Sequence, residues 1–489
     1  MPQWAAVALT AVFAMAQGLL LAYSAHRFVT LWRWARRRRK PIRPEPIPAA
    51  WPRVTVQLPL YNERLVAERL IDSVAALDYP ADLLEVQILD DSTDETVERA
   101  AAAAAKHRAR GVNVAVLHRD GRAGYKAGAL AAGLERAGGE LIAIFDADFV
   151  PEPDFLKRVV PHFHDPDVGM VQARWSHLNR DRSLLTAAQA VMLDAHFFLE
   201  HEARMRSGLF FNFNGTAGVW RRSCIESSGG WTHDTLTEDL DLSYRAQLQG
   251  WRFVSLSGVG APAELPIDVE AVKSQQRRWA RGSIQTARKL LPAVLRSALP
   301  VRVKLEAVFH LTGNAAYPLL LLSGLLLLPV ATAFPGTAPR LAAALNVGVI
   351  VTGVVPVCIF LVAGRIASGA RGWQILRDLA AALLIGAGLS WNNTGAVLQG
   401  LRRRVGDWER TPKTGDGGRR SDFKPYSPAR SPGGRAEVLL ALGFAWMAAA
   451  AWRGGHAMSV PFLLLLFFGL GYVGIRSGGR SQLKGTPCA

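Results

Sequence analysis

Asp146 and Asp148 stand two apart in FDADF, at the end of the apolar run 141–145. At the end of a buried strand, that spacing can aim both carboxylates into one crevice. Hard oxygens there suit a divalent cation that shares its shell with phosphates. A lone Asp-x-Asp is equally an acidic turn. Two further strand ends carry polar groups, Asn62 and Glu63 after RVTVQLPL and Asp90 and Asp91 after EVQIL. One such end reads as a helix cap; three in one domain read as a site. The chain has neither a Walker pattern nor G-x-G-x-x-G, so phosphates would have to be held by metal and by Arg or Lys. Lys126 in GYKAGAL opens a helical segment, where backbone amides also favour anions, although a solvated lysine has the same pattern.

Two later stretches add to this set. In LTEDLDLSYRAQLQGW, Asp239 could be a general base, or Thr237 could be an N-cap with acids in the first helical turn; the pattern leaves both open. In SQQRRWARGSIQ, Gln275, Arg278 and Trp279 form a cationic, aromatic patch just before the chain turns apolar. With Arg281, Arg288, Lys289 and Arg296 downstream, the same stretch also suits an interfacial helix on anionic lipid headgroups.

Strands must position these groups. The runs 54–58, EVQILDD, VNVAVLHR and 141–145 alternate with helical spacing such as RLIDSVAAL. That alternation predicts an α/β fold, a mostly parallel sheet with helices on both faces, whose ligands bind beyond the carboxyl ends of the strands.

The rest of the chain is a membrane sequence. Of 489 residues half are hydrophobic, and the formal net charge is +17. Much of the excess charge flanks apolar stretches, as the positive-inside rule requires, and no nucleic-acid-binding module is present. Cys224, Cys358 and Cys488 are too scattered for a disulfide framework or a metal cage. The run 4–23 is long enough to span and lacks the preceding positive charge of a signal peptide, which is kept as the alternative. The basic run that follows it places the N-terminus outside and residue 40 in the cytoplasm. Further spans are expected at 312–334, 341–363, 436–452 and 458–475, paired as helical hairpins. Residues 379–401 read as an interfacial helix, since a span there would put the basic loop RRRVGDWERTPKTGDGGRRSDFK outside. Within that loop, residues 415–420 read as disordered. The expected order is an anchor at 1–25, a basic and Pro-rich linker at 26–50, a soluble domain at 51–275 and interface helices at 276–303. A hairpin at 304–364, the interfacial helix or a further span at 365–401, a basic loop at 402–435, a hairpin at 436–475 and a tail at 476–489 complete it.

With LPLYNE, LDDSTDET, GYKAGAL, FDADF, FNFNGTAG, TEDLDL and QQRRW in this order, the chain resembles the processive family 2 glycosyltransferases, in particular the cellulose synthase-like mannan and glucan synthases. The likeness covers about residues 50–300, and the membrane part more loosely. It implies a GT-A domain on a transmembrane bundle. It further implies that Tyr61, Glu63, Asp91 and Lys126, with Asp90 beside them, hold the nucleotide of a sugar donor, either UDP-glucose or GDP-mannose. Asp146 and Asp148 match the Mg²⁺ or Mn²⁺ and diphosphate motif, and Asp239 the base that deprotonates the acceptor hydroxyl. Arg278 matches a diphosphate contact. Gln275 and Trp279 match acceptor contacts, and Phe213, Asn214, Gly215 and Thr216 fall in a motif that lines the acceptor site. Trp408-Glu-Arg-Thr411-Pro-Lys413 resembles a gating loop, with Thr411 and Lys413 as diphosphate contacts; Trp stands where Phe is usual and Arg410 where Val is usual. The expected enzyme is an inverting, multi-pass transferase of the inner membrane with its catalytic domain in the cytoplasm. Its partners are the nucleotide sugar, the growing polysaccharide or a lipid acceptor, and the bilayer. Alternatives are a glycolipid glucosyltransferase that adds a single sugar, a non-enzymatic nucleotide-sugar sensor and a transporter. Against the last, no unpaired Asp, Glu or Lys lies near the centre of an expected span.

Overall fold

The computed structural model describes residues 2–38, 46–333, 348, 350–402, 410–415 and 434–478. Seven strands form one sheet: β1 Val54–Leu60, β2 Leu84–Asp90, β3 Val114–His118, β4 Leu141–Ile144, β5 Val168–His177, β6 Gly218–Arg221 and β7 Arg252–Ala263. Their order is β3-β2-β1-β4-β6-β5-β7. β6 runs antiparallel to β4 and β5, and every other pairing is parallel. The mostly parallel α/β sheet read from the sequence is what forms. The first four strands match the expected runs, because each is an apolar stretch bounded by turn residues.

The sheet is covered on both faces. Val54, Val56 and Leu58 of β1 pack on Val66, Leu70 and Val74 around the helix Ala67–Ala75 (α1). On the opposite face, Gln57 donates to Gln87 at 3.1 Å and Thr55 to Glu85 at 2.7 Å, so the polar half of the alternation is paired rather than exposed. Farther along, Phe213, Trp220, Ile142 and Met170 fill that face. In register, Leu60 meets Asp90 and Asp90 meets His118, so the ends of β1, β2 and β3 finish level. Of the remaining helices, α2 is Tyr125–Arg136, α3 Leu184–Ala195, α4 Glu238–Leu248 and α5 Val269–Arg296.

Among the described residues, five helical stretches are long and apolar enough to cross a membrane: Gln3–Arg37, Val301–Ala331, Ile350–Ala367, Arg435–Arg453 and Ala457–Ser477. Each overlaps an expected span. They expose large apolar side chains, such as Trp446 at 67% and Trp452 at 69%, which water would penalise and lipid would not. Residues 379–401 are not among the five. They divide at Leu389 into helices Trp373–Gly388 (α6) and Ser390–Gly400 (α7), each too short to span. Asn392 of α7 is buried, donating to the Lys273 carbonyl at 3.0 Å and accepting from Arg277 at 3.0 Å, while Trp391 stays exposed. The expected boundary at 275/276 falls inside α5, which starts at Val269 because the Asp268 carboxylate caps the Glu270 amide at 2.8 Å.

Candidate active site

A cleft opens beyond the carboxyl ends of β1, β2 and β4, between them, the starts of α2 and α4, and α5. All the anticipated site residues line it except Asp90, Phe213 and Thr216. Those three need correcting. The Asp90 carboxylate is fully buried, accepting from the Ser92 amide at 3.0 Å and pairing with His118 at 2.9 Å, so it braces the turn after β2. The Phe213 ring is in the core against Trp220. Thr216 is buried too, and its hydroxyl accepts the Asp146 amide at 2.8 Å; it holds the Asp-x-Asp turn in shape.

On one side of the cleft, cations meet carboxylates. Lys126 Nζ lies 2.5 Å from Asp146 Oδ1 and donates to the Gly215 carbonyl at 2.8 Å. Lys413 Nζ lies 2.6 Å from Asp148 Oδ1. Burial raises the Asp148 carboxyl pKa against the pull of Lys413. Burial also pushes Glu63 up to about 8, opposed by Arg410, which is 3.5 Å away, and by Lys413. Arg410 also donates to the Tyr61 carbonyl at 3.2 Å. Among the described residues no three His, Cys, Asp or Glu groups form a cage for a metal. The donor set here is instead two carboxylates, Asp146 and Asp148, each already balanced by an ammonium. Two hard oxygen donors fit Mg²⁺ or Mn²⁺, which takes the rest of its shell from water and phosphate.

Asp239, Arg278 and Trp279 line the same cleft. Thr237 does occupy the N-cap position of α4, yet its side chain makes no cap; it faces Thr286 at 3.3 Å. The side-chain cap is therefore missing, while the other half of that reading, acids in the first turn, holds for Glu238, Asp239 and Asp241. Asp239 Oδ1 accepts the Leu240 amide at 2.8 Å. Burial first, and the neighbouring Glu238 charge second, push its carboxyl up to about 7. Gly215 has φ +82°, and a Cβ there would come 3.0 Å from Asp239 Oδ2, so glycine suits the backbone and keeps this approach open. Burial lowers the Arg278 pKa, opposed by the carboxylates of Glu238, Asp146 and Asp239. Trp279 faces Trp175 across 6.3 Å between ring centroids, at 52°.

Several lining or bracing residues were not anticipated. Arg122 stacks its guanidinium 3.3 Å from the Tyr61 ring centre. Arg119 grips both oxygens of Asp91, at 2.5 and 2.7 Å. Trp175, His177 and Glu264 complete the wall. Arg122 sits four residues before Lys126 in a basic, Gly-rich turn, the one signal that could have found it; Arg119 closes the run VNVAVLHR without standing out in it, and the others belong to β5 or follow β7, which no motif marks. Trp408 lies outside the described residues, as do residues 416–420 of the stretch read as disordered. Gly415, at the head of that stretch, is instead placed, its amide donating to Glu264 at 3.1 Å.

Residues 52–282 match the family described as glycosyltransferase like family 2. Over 259 residues the chain is 44% identical to glucomannan 4-beta-mannosyltransferase 1 of Oryza sativa subsp. japonica, covering 52% of this chain and 50% of the relative. Over 381 residues it is 36% identical to probable glucomannan 4-beta-mannosyltransferase 10 of Arabidopsis thaliana, covering 75% of this chain and 66% of the relative. The chain thus spans about half the length of the first and about two thirds of the second. A solved structure of a mannosyltransferase from Pyrobaculum calidifontis, in complex with GDP-Man and Mn²⁺, superposes with a TM-score of 0.56 at 24% identity. It covers 76% of this chain and 99% of that one, a likeness of fold.

Proposed function

We propose that this chain, a family 2 glycosyltransferase of the cellulose synthase-like kind by its match over residues 52–282 and its likeness to the plant relatives, is a membrane-embedded, inverting, processive enzyme polymerising a β-linked mannan from GDP-mannose. The observation that carries the reading is one cleft holding the Asp146–Asp148 pair, Asp239, Arg278 and Trp279 together, beside helices fit to span a bilayer. The relatives are named as mannosyltransferases, which favours mannose over glucose. The basic run after the first span supports an outside N-terminus and a cytoplasmic catalytic domain.

In the mechanism, Asp239 takes the proton of the acceptor hydroxyl as that oxygen bonds to the anomeric carbon. The bond from this carbon to the diphosphate breaks, and its electron pair leaves with the nucleoside diphosphate. One displacement from the opposite face turns an α-linked donor into a β-linked product. Asp146 and Asp148 would hold Mg²⁺ or Mn²⁺, which when bound supplies positive charge to the diphosphate. Arg278 meets the departing charge with a planar fork of donors, and Lys126 and Lys413 add theirs. Tyr61, Glu63, Asp91 and Thr411 hold the donor. Gln275, Asn214 and Gly215 line the acceptor end.

Trp279 offers its indole to the apolar face of the acceptor sugar. Trp279→Ala is expected to raise the acceptor KM and shorten the product about tenfold while donor binding stays within about twofold. An unchanged product-length distribution would assign Trp279 to the lipid interface. A second cavity of about 360 Å³ lies among the membrane helices and carries Tyr23, Asn314 and Tyr317 on its wall. Met192 of α3 lines it while the next residue, Leu193, lines the cleft, and this adjacency supports export through the bundle.

The test is turnover by purified protein in detergent, with GDP-mannose and UDP-glucose offered separately alongside Mg²⁺ or Mn²⁺. A long product from GDP-mannose, cut by endo-β-mannanase, is the expected result. A long product from UDP-glucose alone, cut by endo-β-glucanase, would change the sugar. A chloroform-soluble single-sugar product would replace polymerisation by glycolipid synthesis.

A further inference from the structure

Glu264 follows directly on β7 and lies 2% exposed at the cleft wall. None of the motifs includes it. One carboxylate oxygen pairs with Arg69 of α1 at 2.8 Å. The other accepts from the Thr414 amide at 3.0 Å, the Thr414 hydroxyl at 2.8 Å and the Gly415 amide at 3.1 Å. Arg69 in turn donates to the Asp148 carbonyl at 3.4 Å. Gly415 sits tightly against Leu65. Gly415 has φ +73°, and a Cβ on it would lie 2.4 Å from the Leu65 carbonyl oxygen. Just upstream, Lys413 reaches Asp148 and Arg410 reaches Glu63.

From this arrangement we infer that Glu264, braced by Arg69, is a positioning residue that docks residues 410–415 on the donor side of the cleft, with Gly415 fitted against Leu65. Its catalytic consequence rests on the transferase reading above. A charged acceptor with three donors from two adjacent residues fixes a short stretch of backbone. Thr411 and Lys413 precede that stretch directly. Holding 414–415 therefore presents both to the diphosphate at little further cost in chain freedom. The dock itself touches no reacting atom.

The test uses the full chain in detergent and two variants that act from opposite sides. Glu264→Gln leaves a neutral, weaker acceptor. Gly415→Ala leaves every polar group and charge of the cleft in place but forbids the fit at Leu65. Hydrogen exchange of the peptide covering 410–415 is expected to quicken about tenfold or more in each variant, with the core strands unchanged. The donor KM is expected to rise about tenfold, with kcat changing by less. Combined, the two changes should cost little more than either alone, because they open the same dock.

If Glu264→Gln lowers activity while 410–415 exchanges as in the wild type, Glu264 acts on Asp148 by its charge and the dock is overturned. If Gly415→Ala leaves both exchange and KM unchanged, the fit at Leu65 has no such role and the proposal fails. Were the wild-type chain to turn over neither nucleotide sugar, the transferase reading would fall, and the exchange measurement would still decide the dock.

Discussion

Asp239→Asn is expected to lower turnover about a thousandfold or more while GDP or the donor still binds within a few-fold of the wild type. Asn nearly matches Asp in shape, so the amide of Leu240 keeps an acceptor and the start of the helix Glu238–Leu248 is preserved. Only the proton acceptor is lost. The pH dependence gives a second readout. The Asp239 carboxyl is pushed up to about 7, chiefly by burial and then by Glu238. Below that value it holds a proton and cannot take one from the acceptor. The kcat/KM of the wild type should therefore fall as pH drops through about 7, and the residual rate of the variant should lack this limb. Turnover near the wild-type level in Asp239→Asn would remove the residue from the chemistry.

Arg278→Ala is expected to cost about a hundredfold to a thousandfold in kcat, the range for losing one group placed against developing charge. Arg278→Lys should restore only part, since an ammonium lacks the planar fork that grips two phosphate oxygens. Loss of Arg278 also reaches Asp239. The guanidinium favours the ionised carboxylate and so holds that pKa down. Removing it should move the acid limb of the pH profile upward, by an amount that Lys reverses. A lowered rate with an unmoved limb would separate Arg278 from the base and leave it acting on the diphosphate alone. Unchanged kcat in Arg278→Ala would confine the Q-x-x-R-W arginine to the lipid interface.

The parallel sheet and its polar edge were legible in the sequence because they rest on local order. A strand of alternating or apolar residues ends where a turn begins, and the acids there must emerge at one edge of a parallel sheet. Spans were legible for a similar reason: length and hydropathy act within a single helix, and a bilayer asks for little else. The seven ordered motifs narrowed the family without any contact being known.

Which of two neighbours faces the cleft was decided only in three dimensions. Asp90 and Asp91 are adjacent, yet one is taken by Ser92 and His118 and the other by Arg119 at the cleft wall. Phe213 and Gly215 share a motif, but the ring fills the core against Trp220 while the glycine faces Asp239. The cation on each carboxylate of the Asp146–Asp148 pair was hidden as well. Lys126 lies 20 residues from Asp146, and Lys413 comes from a segment beyond several membrane helices. Glu264 carried no signal at all, since its partners, Arg69 and Thr414, are remote in the chain on either side. The physical reason is the same throughout. Periodicity and turn chemistry determine elements and their ends, which the sequence holds by itself. The charge state and aim of a buried side chain depend on what the fold brings against it, and only the tertiary structure decides that.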